Sequence, residues 1–197
     1  MQIVTATANP HKVAEIAAIL GDRLELLARP ASVPEIEEVG ETLAENARLK
    51  ARAICEATGL PALADDTGLE VDALGGAPGV RSARYAGEAA DDAANVARLL
   101  AELSAPAGHR SGDGRRARFR TVMVLAYPDG REVMAEGVVD GRITEAARGQ
   151  GGFGYDPVFE ADDADGRTFA ELGADAKNAI SHRKRALTAL LEALADL

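Results

Sequence analysis

The chain predicts an α/β fold built on a mixed β-sheet, in two lobes with a cleft between them. Three observations carry this. The N-terminus reads as strand, tight turn and capped helix. Short apolar runs and capped helices then alternate through the first half, the pattern of parallel pairing. Later, Pro128-Asp129-Gly130 separates two β-prone runs, a hairpin signal that adds antiparallel pairing. At 197 residues the chain suits a single domain, 1–197, of two lobes.

Residues 3–7 are the first β-prone run. Asn9 is a good N-cap, Pro10 suits the first helical position and Gly21 suits the end. Val13, Ile16, Ala17 and Leu20 give that helix one apolar face. Lys12 in its first turn has the wrong sign for the helix dipole. It is either solvated or, with the free N–H groups there, part of an anion site. Residues 25–28 suggest a second strand. A loop over 29–40 carries Glu35, Glu37 and Glu38, with Glu41 just beyond. Thr42 and Glu45 form a capping box for a helix reaching Thr58, ended by Gly59-Leu60-Pro61. Asn46 and Lys50 share one face of it, four apart, and point toward a ligand.

The chain is organised around residues 61–72. Residues 60–64 read as a buried strand that ends in Asp65-Asp66-Thr67-Gly68. Ligands of open α/β sheets sit beyond the carboxyl ends of strands, where a hard cation bridges carboxylate and phosphate oxygens. A plain Asp turn is the alternative. A compact Gly/Pro loop with Arg81 and Arg84 follows, then a helix over 89–103. Residues 104–118, with their glycines and arginines, read as a mobile surface loop, and strands follow over 119–127 and 131–139. Gly149 to Gly154 formally spells G-x-G-x-x-G, but Tyr155-Asp156-Pro157 and a β-prone run come next instead of a helix, which excludes the dinucleotide motif. The glycines either make a turn or wrap a flat ring against an exposed aromatic. Thr168 and Glu171 repeat the capping box. Ser181 then caps a terminal helix packed through Leu187, Leu190, Leu191 and Leu194, whose start, His182-Arg183-Lys184-Arg185, is again basic.

Composition removes several function classes. The net charge of −10 argues against a broad nucleic-acid surface, which needs many phosphate contacts. Against that background, two basic helix starts imply a common polyanion. A single cysteine, Cys55, permits no intrachain disulfide or cysteine-based zinc site, and it reads as a small buried residue. No apolar run reaches membrane-spanning length and no signal peptide is visible, so a cytoplasmic location is expected. There is no P-loop and no nucleophile elbow, and His11, His109 and His182 lack metal-ligand spacing. Carboxylates, Mg²⁺ and cations suffice for attack of water on a phosphate. The residues therefore point to a nucleotide or phosphate-ester hydrolase.

Several segments are similar, in order along nearly the whole chain, to the inosine/xanthosine triphosphate pyrophosphatase family. They are Thr7-Ala-Asn9-Pro10-His11-Lys12, Glu37-Glu38-Val-Gly40-Glu-Thr42-Leu-Ala-Glu45-Asn46, Ala64-Asp65-Asp66-Thr67-Gly68, Gly75-Gly76-Ala-Pro78-Gly79, Ser82-Ala-Arg84-Tyr85, Gly151-Gly152-Phe153-Gly154-Tyr155-Asp156-Pro157 and Ile180-Ser181-His182-Arg183. The resemblance implies a two-lobed sandwich around a long mixed sheet, and Mg²⁺-dependent hydrolysis of ITP, dITP and XTP to monophosphate and pyrophosphate by a homodimer. It implies that Thr7, Ala8, Asn9, Pro10, His11 and Lys12 hold the triphosphate. Asp66 is the implied general base and a Mg²⁺ ligand, with Glu38 the other ligand. Thr67, Phe153, Gly154, Tyr155, Asp156, Lys177, His182 and Arg183 are implied to touch the nucleotide.

Ala8 departs from the glycine common in the family, and is expected to need no positive φ. Water attacks the α-phosphorus in the expected mechanism, and pyrophosphate leaves as its Mg²⁺ complex. Donors aimed at the 6-oxo group would select the base. Two rivals stand: a house-cleaning pyrophosphatase of other base preference, and a non-catalytic nucleotide sensor.

Overall fold

The structure, a computed structural model, describes residues 1–89, 91–104 and 113–195. The strands are β1 (Gln2–Thr5), β2 (Glu25–Leu27), β3 (Ala62–Val71), β4 (Pro78–Gly79), β5 (Arg116–Ala126), β6 (Glu132–Ile143) and β7 (Phe159–Ala161). The helices are α1 (Pro10–Leu20), α2 (Leu43–Thr58), α3 (Asp92–Ser104), α4 (Ala174–Ile180) and α5 (His182–Ala195). Among the described residues the strands form one sheet in the order β2-β1-β3-β5-β6-β7, with β4 on β3. β1 is parallel to both β2 and β3, whereas β4 and β7 run antiparallel to β3 and β6. The fold is the mixed α/β class the sequence predicts.

The chain divides into two compact units. The first comprises Met1–Asp66, Thr121–Gly137 and the chain from His182 onward; the second comprises Thr67–Arg120 and Val138–Ser181.

In the first unit, local chemistry sets the helix ends. Asn9 Oδ1 accepts from the N–H groups of His11 and Lys12 at 2.9 and 3.3 Å, satisfying donors that an α-helix leaves open. The Thr42/Glu45 capping box opens α2, and Gly59 closes it in the left-handed conformation at φ 68°. Ile16 and Leu20 of α1 and Leu187 and Leu190 of α5 join Ile3, Leu63, Met123 and Leu125 in one core. Ala17, expected on the buried face of α1, is exposed; Ile19 takes that place, partly buried.

The second unit buries Leu69, Val71, Leu99, Leu103, Val139 and Ile143 around three phenylalanines. Phe119 and Phe159 meet edge to face at 4.7 Å, and Phe159 and Phe169 do so at 5.1 Å. This is the favoured geometry for aromatic quadrupoles, worth about 0.5–1.5 kcal/mol per pair beyond burial.

Three expectations need correction. β3 does not stop at Ala64 but runs through both acids to Val71. Its neighbour β1 is what stops: Thr5 pairs with Leu63, so Asp65 and Asp66 lie just past the carboxyl end of β1. The stretch 104–118 is only partly a loop. Residues 105–112 lie outside the described residues, Asp113–Arg115 make a 3₁₀ turn and β5 already begins at Arg116. Arg116, Arg118 and Arg120 alternate with buried Ala117 and Phe119, and the arginines pair with Asp162, Asp72 and Glu70. Finally, α4 is an additional helix, a seven-residue one, too short to leave a periodic signal.

Candidate active site

Asp65 and Asp66 are adjacent and both buried, yet their partners differ. Strand alternation sends neighbouring side chains to opposite faces. Asp65 Oδ2 takes Lys12 Nζ at 3.0 Å and Arg183 Nε at 3.2 Å. Arg183 also donates to Glu15 Oε2 at 2.6 Å. Thus the two basic helix starts, α1 and α5, converge on one carboxylate. Burial alone pushes Asp65 up, but Lys12, Arg183 and Lys50 outweigh it and hold it well below the usual carboxylate range. Burial lowers Lys12 despite Asp65.

Asp66 is bonded by a different lysine. Lys50 Nζ donates to Asp66 Oδ1 at 2.9 Å and to Glu38 Oε1 at 2.8 Å. Burial pushes Asp66 above the ordinary carboxylate value, with Glu38 adding to the rise and Lys50 opposing it. Its second oxygen, Oδ2, is buried without a hydrogen-bond partner among the described residues. Lys50 itself is raised, because Asp66, Asp65 and Glu38 outweigh its burial. Two acids side by side are thereby driven in opposite directions, the arrangement that separates a fixed anion from a proton-handling group.

Glu38 is placed by α2. Asn46 Oδ1 accepts from Gly40 N–H at 2.8 Å, and Glu45 Oε2 accepts from Glu41 and Thr42 N–H at 2.7 and 3.1 Å. Three successive backbone donors, those of residues 40–42, are therefore pinned, beginning two residues after Glu38. Asn46 and Lys50, expected to point at a ligand, point at this loop and at Asp66. The sequence signal for Asn46 and Lys50 is only their spacing, four apart, on a helix side that also carries Leu43, Ala47 and Ile54.

The loop from Thr7 to Asn9 turns on itself, with Asn9 N–H donating to Thr7 Oγ1 at 3.2 Å. Ala8 and His11 are exposed. Asp165 is the only described non-glycine residue with positive φ, so Ala8 needs no glycine-like backbone, as expected. His182 is buried at the start of α5. Its turn lies close to β6 because position 137 is glycine: a Cβ there would stand 2.2 Å from His182 O.

The second unit holds the remaining predicted residues. Asp156 Oδ2 accepts from Phe153 N–H at 2.9 Å and from Lys177 Nζ at 2.5 Å. Lys177 Nζ lies 4.8 Å from the centre of the Phe153 ring, within cation–π range. A Cβ at Gly152 would fall 2.0 Å from Asp156 Oδ2, so the turn needs glycine there. Phe153 is half-buried, not the exposed aromatic expected, because the Lys177 ammonium covers it. Tyr155 is buried in the core and donates to Ser82 O at 2.9 Å, a packing role. Gly154 N–H donates to Asp92 Oδ2 at 2.7 Å. Thr67 is half-buried in β3.

A family model described as the Ham1 family matches residues 3–193. The chain belongs to the Ham1 family. The dITP/XTP pyrophosphatase of Thermus thermophilus is 54% identical over 199 residues, spanning 100% of this chain and 93% of that protein. Among solved structures, a HAM1 protein from Coxiella burnetii is 43% identical with a TM-score of 0.89, each chain covered completely. The Staphylococcus aureus Ham1 protein is 37% identical with a TM-score of 0.84, covering 100% of this chain and 98% of its own.

In this Ham1-family chain, no group of three or more His, Cys, Asp or Glu among the described residues could hold a metal alone. Glu38 and Asp66, brought together on one lysine, could hold an ion that takes one or two carboxylates and completes its shell with phosphate and water, as Mg²⁺ does. The unpartnered Oδ2 of Asp66 fits that donor set. Among the described residues, no helix is long and apolar enough to cross a membrane.

Proposed function

We propose that this protein is a Mg²⁺-dependent nucleoside triphosphate pyrophosphatase that hydrolyses ITP, dITP and XTP to the monophosphate and pyrophosphate. The division of labour between Asp65 and Asp66 carries the reading. Asp65 gathers Lys12 and Arg183, cations suited to a polyphosphate. Asp66 keeps a buried oxygen without a partner and a raised proton affinity. Membership in the Ham1 family, and the name of the Thermus thermophilus relative, support the substrate class.

The chain's residues act as follows. Glu38 and Asp66 hold the metal, which when bound supplies charge neutralisation to the phosphate oxygens. Asp66 orients the attacking water and takes its proton as oxygen bonds to the α-phosphorus and the bond to pyrophosphate breaks. Lys12 and the 7–12 turn bind the leaving phosphates, where a preorganised cation stabilises developing charge. Phe153, Asp156 and Lys177 contribute a ring face and a buried charge pair for nucleotide recognition, and His182 and Arg183 supply donors. A donor paired with the 6-oxo group of hypoxanthine or xanthine is left unpaired against the amino group of adenine, which rejects adenine strongly. The protein acts as a homodimer in the cytoplasm, a state that sedimentation analysis and cell fractionation test.

A side-by-side assay of dITP, XTP, dATP and dGTP with Mg²⁺, quantifying pyrophosphate and orthophosphate, tests the proposal. Pyrophosphate from dITP and XTP alone is the expected result. Equal release from dATP points to the house-cleaning alternative, and no release from any of them points to a sensor.

A further inference from the structure

Lys50 is a buried lysine bonded to both carboxylates that the proposed function assigns to the metal. Its Nζ lies 2.8 Å from Glu38 Oε1 and 2.9 Å from Asp66 Oδ1, and its side chain is 11% exposed. The lysine therefore bonds one oxygen of each carboxylate, and among the described residues Asp66 Oδ2 is left without a partner. A Mg²⁺ ion binds oxygen at about 2.0–2.1 Å, and an ammonium bonded to the same two carboxylates repels it at close range. A lysine is a compact charge on a four-carbon stem with rotatable donors, so it moves off one carboxylate more readily than a planar arginine fork would.

We propose that Lys50 is a built-in counter-cation that competes with the divalent ion for Glu38 and Asp66. In the free protein it neutralises the pair and keeps two carboxylates from facing each other in a buried site. That neutralisation lowers the affinity of the free protein for metal. This rests on the assignment of Glu38 and Asp66 as metal ligands. It differs from a simple substrate-binding lysine in one consequence: removing the charge should strengthen metal binding instead of weakening it.

The test titrates Mn²⁺, as the probe for the divalent site, into full-length protein at pH 8 without nucleotide, following free Mn²⁺ by electron paramagnetic resonance. Lys50→Met keeps the unbranched stem and removes the charge. It should bind Mn²⁺ about tenfold more tightly than the native chain, because a competing unit charge at contact distance is gone. Lys50→Arg keeps the charge and should not tighten binding. Asp66→Asn separates the two claims. If Asp66→Asn loses the Mn²⁺ site and Lys50→Met binds no more tightly than the native chain, the counter-cation role fails while the metal assignment stands. If Asp66→Asn binds Mn²⁺ as the native chain does, the metal assignment itself fails. Should Lys50→Met not fold, the ¹⁵Nζ resonance of Lys50 in the native, lysine-labelled protein decides. It should move on Mg²⁺ addition at saturating ion, and an unmoved resonance would overturn the proposal.

Discussion

Arg183 Nε donates to Asp65 Oδ2 across 3.2 Å, although 118 positions separate the two residues. The same oxygen holds Lys12 at 3.0 Å, and the Asp65 side chain is 0% exposed. Two cations are thus gathered on one buried carboxylate. Pairs of this kind add little over an apolar core, yet removing one partner strands the others at a cost of about 3–5 kcal/mol. Asp65→Asn should lower unfolding stability by about that amount in urea titrations with an unchanged slope. A loss below about 1 kcal/mol, typical of exposed pairs, would show that Asp65 does not hold these helix starts.

Asp66 predicts the opposite profile. It shares Lys50 with Glu38, and burial already raises its proton affinity. Asp66→Asn keeps the shape and removes the base and the charge. Turnover of dITP should fall by about 10²–10⁴-fold, the range for losing a positioned general base. Nucleotide binding measured by calorimetry should persist, and the stability loss should be smaller than for Asp65→Asn. A variant that retains most of its turnover would remove Asp66 from the mechanism.

Features written in neighbouring residues were legible in the sequence. Asn9 with Pro10, Thr42 with Glu45, and Gly59 each place a helix end through contacts within a few positions. The inverted charges at Lys12 and Arg183 imply a common polyanion by sequence; in the structure both side chains meet Asp65. What escaped depends on partners remote in sequence. The end of the strand at Ala64 was misread because the sequence does not show that β1 stops at Thr5. The grip of Lys50 on Glu38 and Asp66 depends on how α2 faces the 29–40 loop, which no spacing encodes. Tyr155 looked like a ligand residue, and only the core around Ser82 gives it a packing role.

Gly137 offers a separate test of how α5 is seated. A Cβ there would meet His182 O at 2.2 Å and Ala186 N at 2.3 Å, both backbone atoms that cannot rotate away. Gly137→Ala should therefore push back the turn that carries Arg183, at a cost of about 1–3 kcal/mol typical of overpacking, and lower turnover with it. Gly173→Ala is the control: among the described residues nothing lies within 4 Å of its added Cβ, so it loses only the N-cap preference for glycine at α4. Differential scanning calorimetry should show a depressed melting temperature for the first variant and little change for the second. Equal behaviour would mean that β6 and α5 adjust freely.

The second unit carries its own pH dependence. The Tyr85 hydroxyl donates to Glu102 Oε2, Arg98 Nε donates to Glu102 Oε1 at 2.8 Å, and the Arg98 guanidinium lies 4.3 Å from the centre of the Tyr85 ring. Burial first, and then Glu102, push the Tyr85 phenol up to about 12 from an ordinary value of 10.0. A folded value above the unfolded one means that folding favours the protonated phenol. Its contribution is fully present below about pH 10 and disappears as pH rises through about 12. A shift of about two pH units corresponds to ~3 kcal/mol. Tyr85→Phe removes the titrating group and its hydrogen bond. The native chain should exceed this variant in urea stability at pH 8, and the gap should close between about pH 10 and 12. Taking the difference between the two chains cancels other alkaline groups, Tyr155 among them, which burial also raises. A gap that stays constant across that window would show that the phenol titrates alike in the folded and unfolded chains.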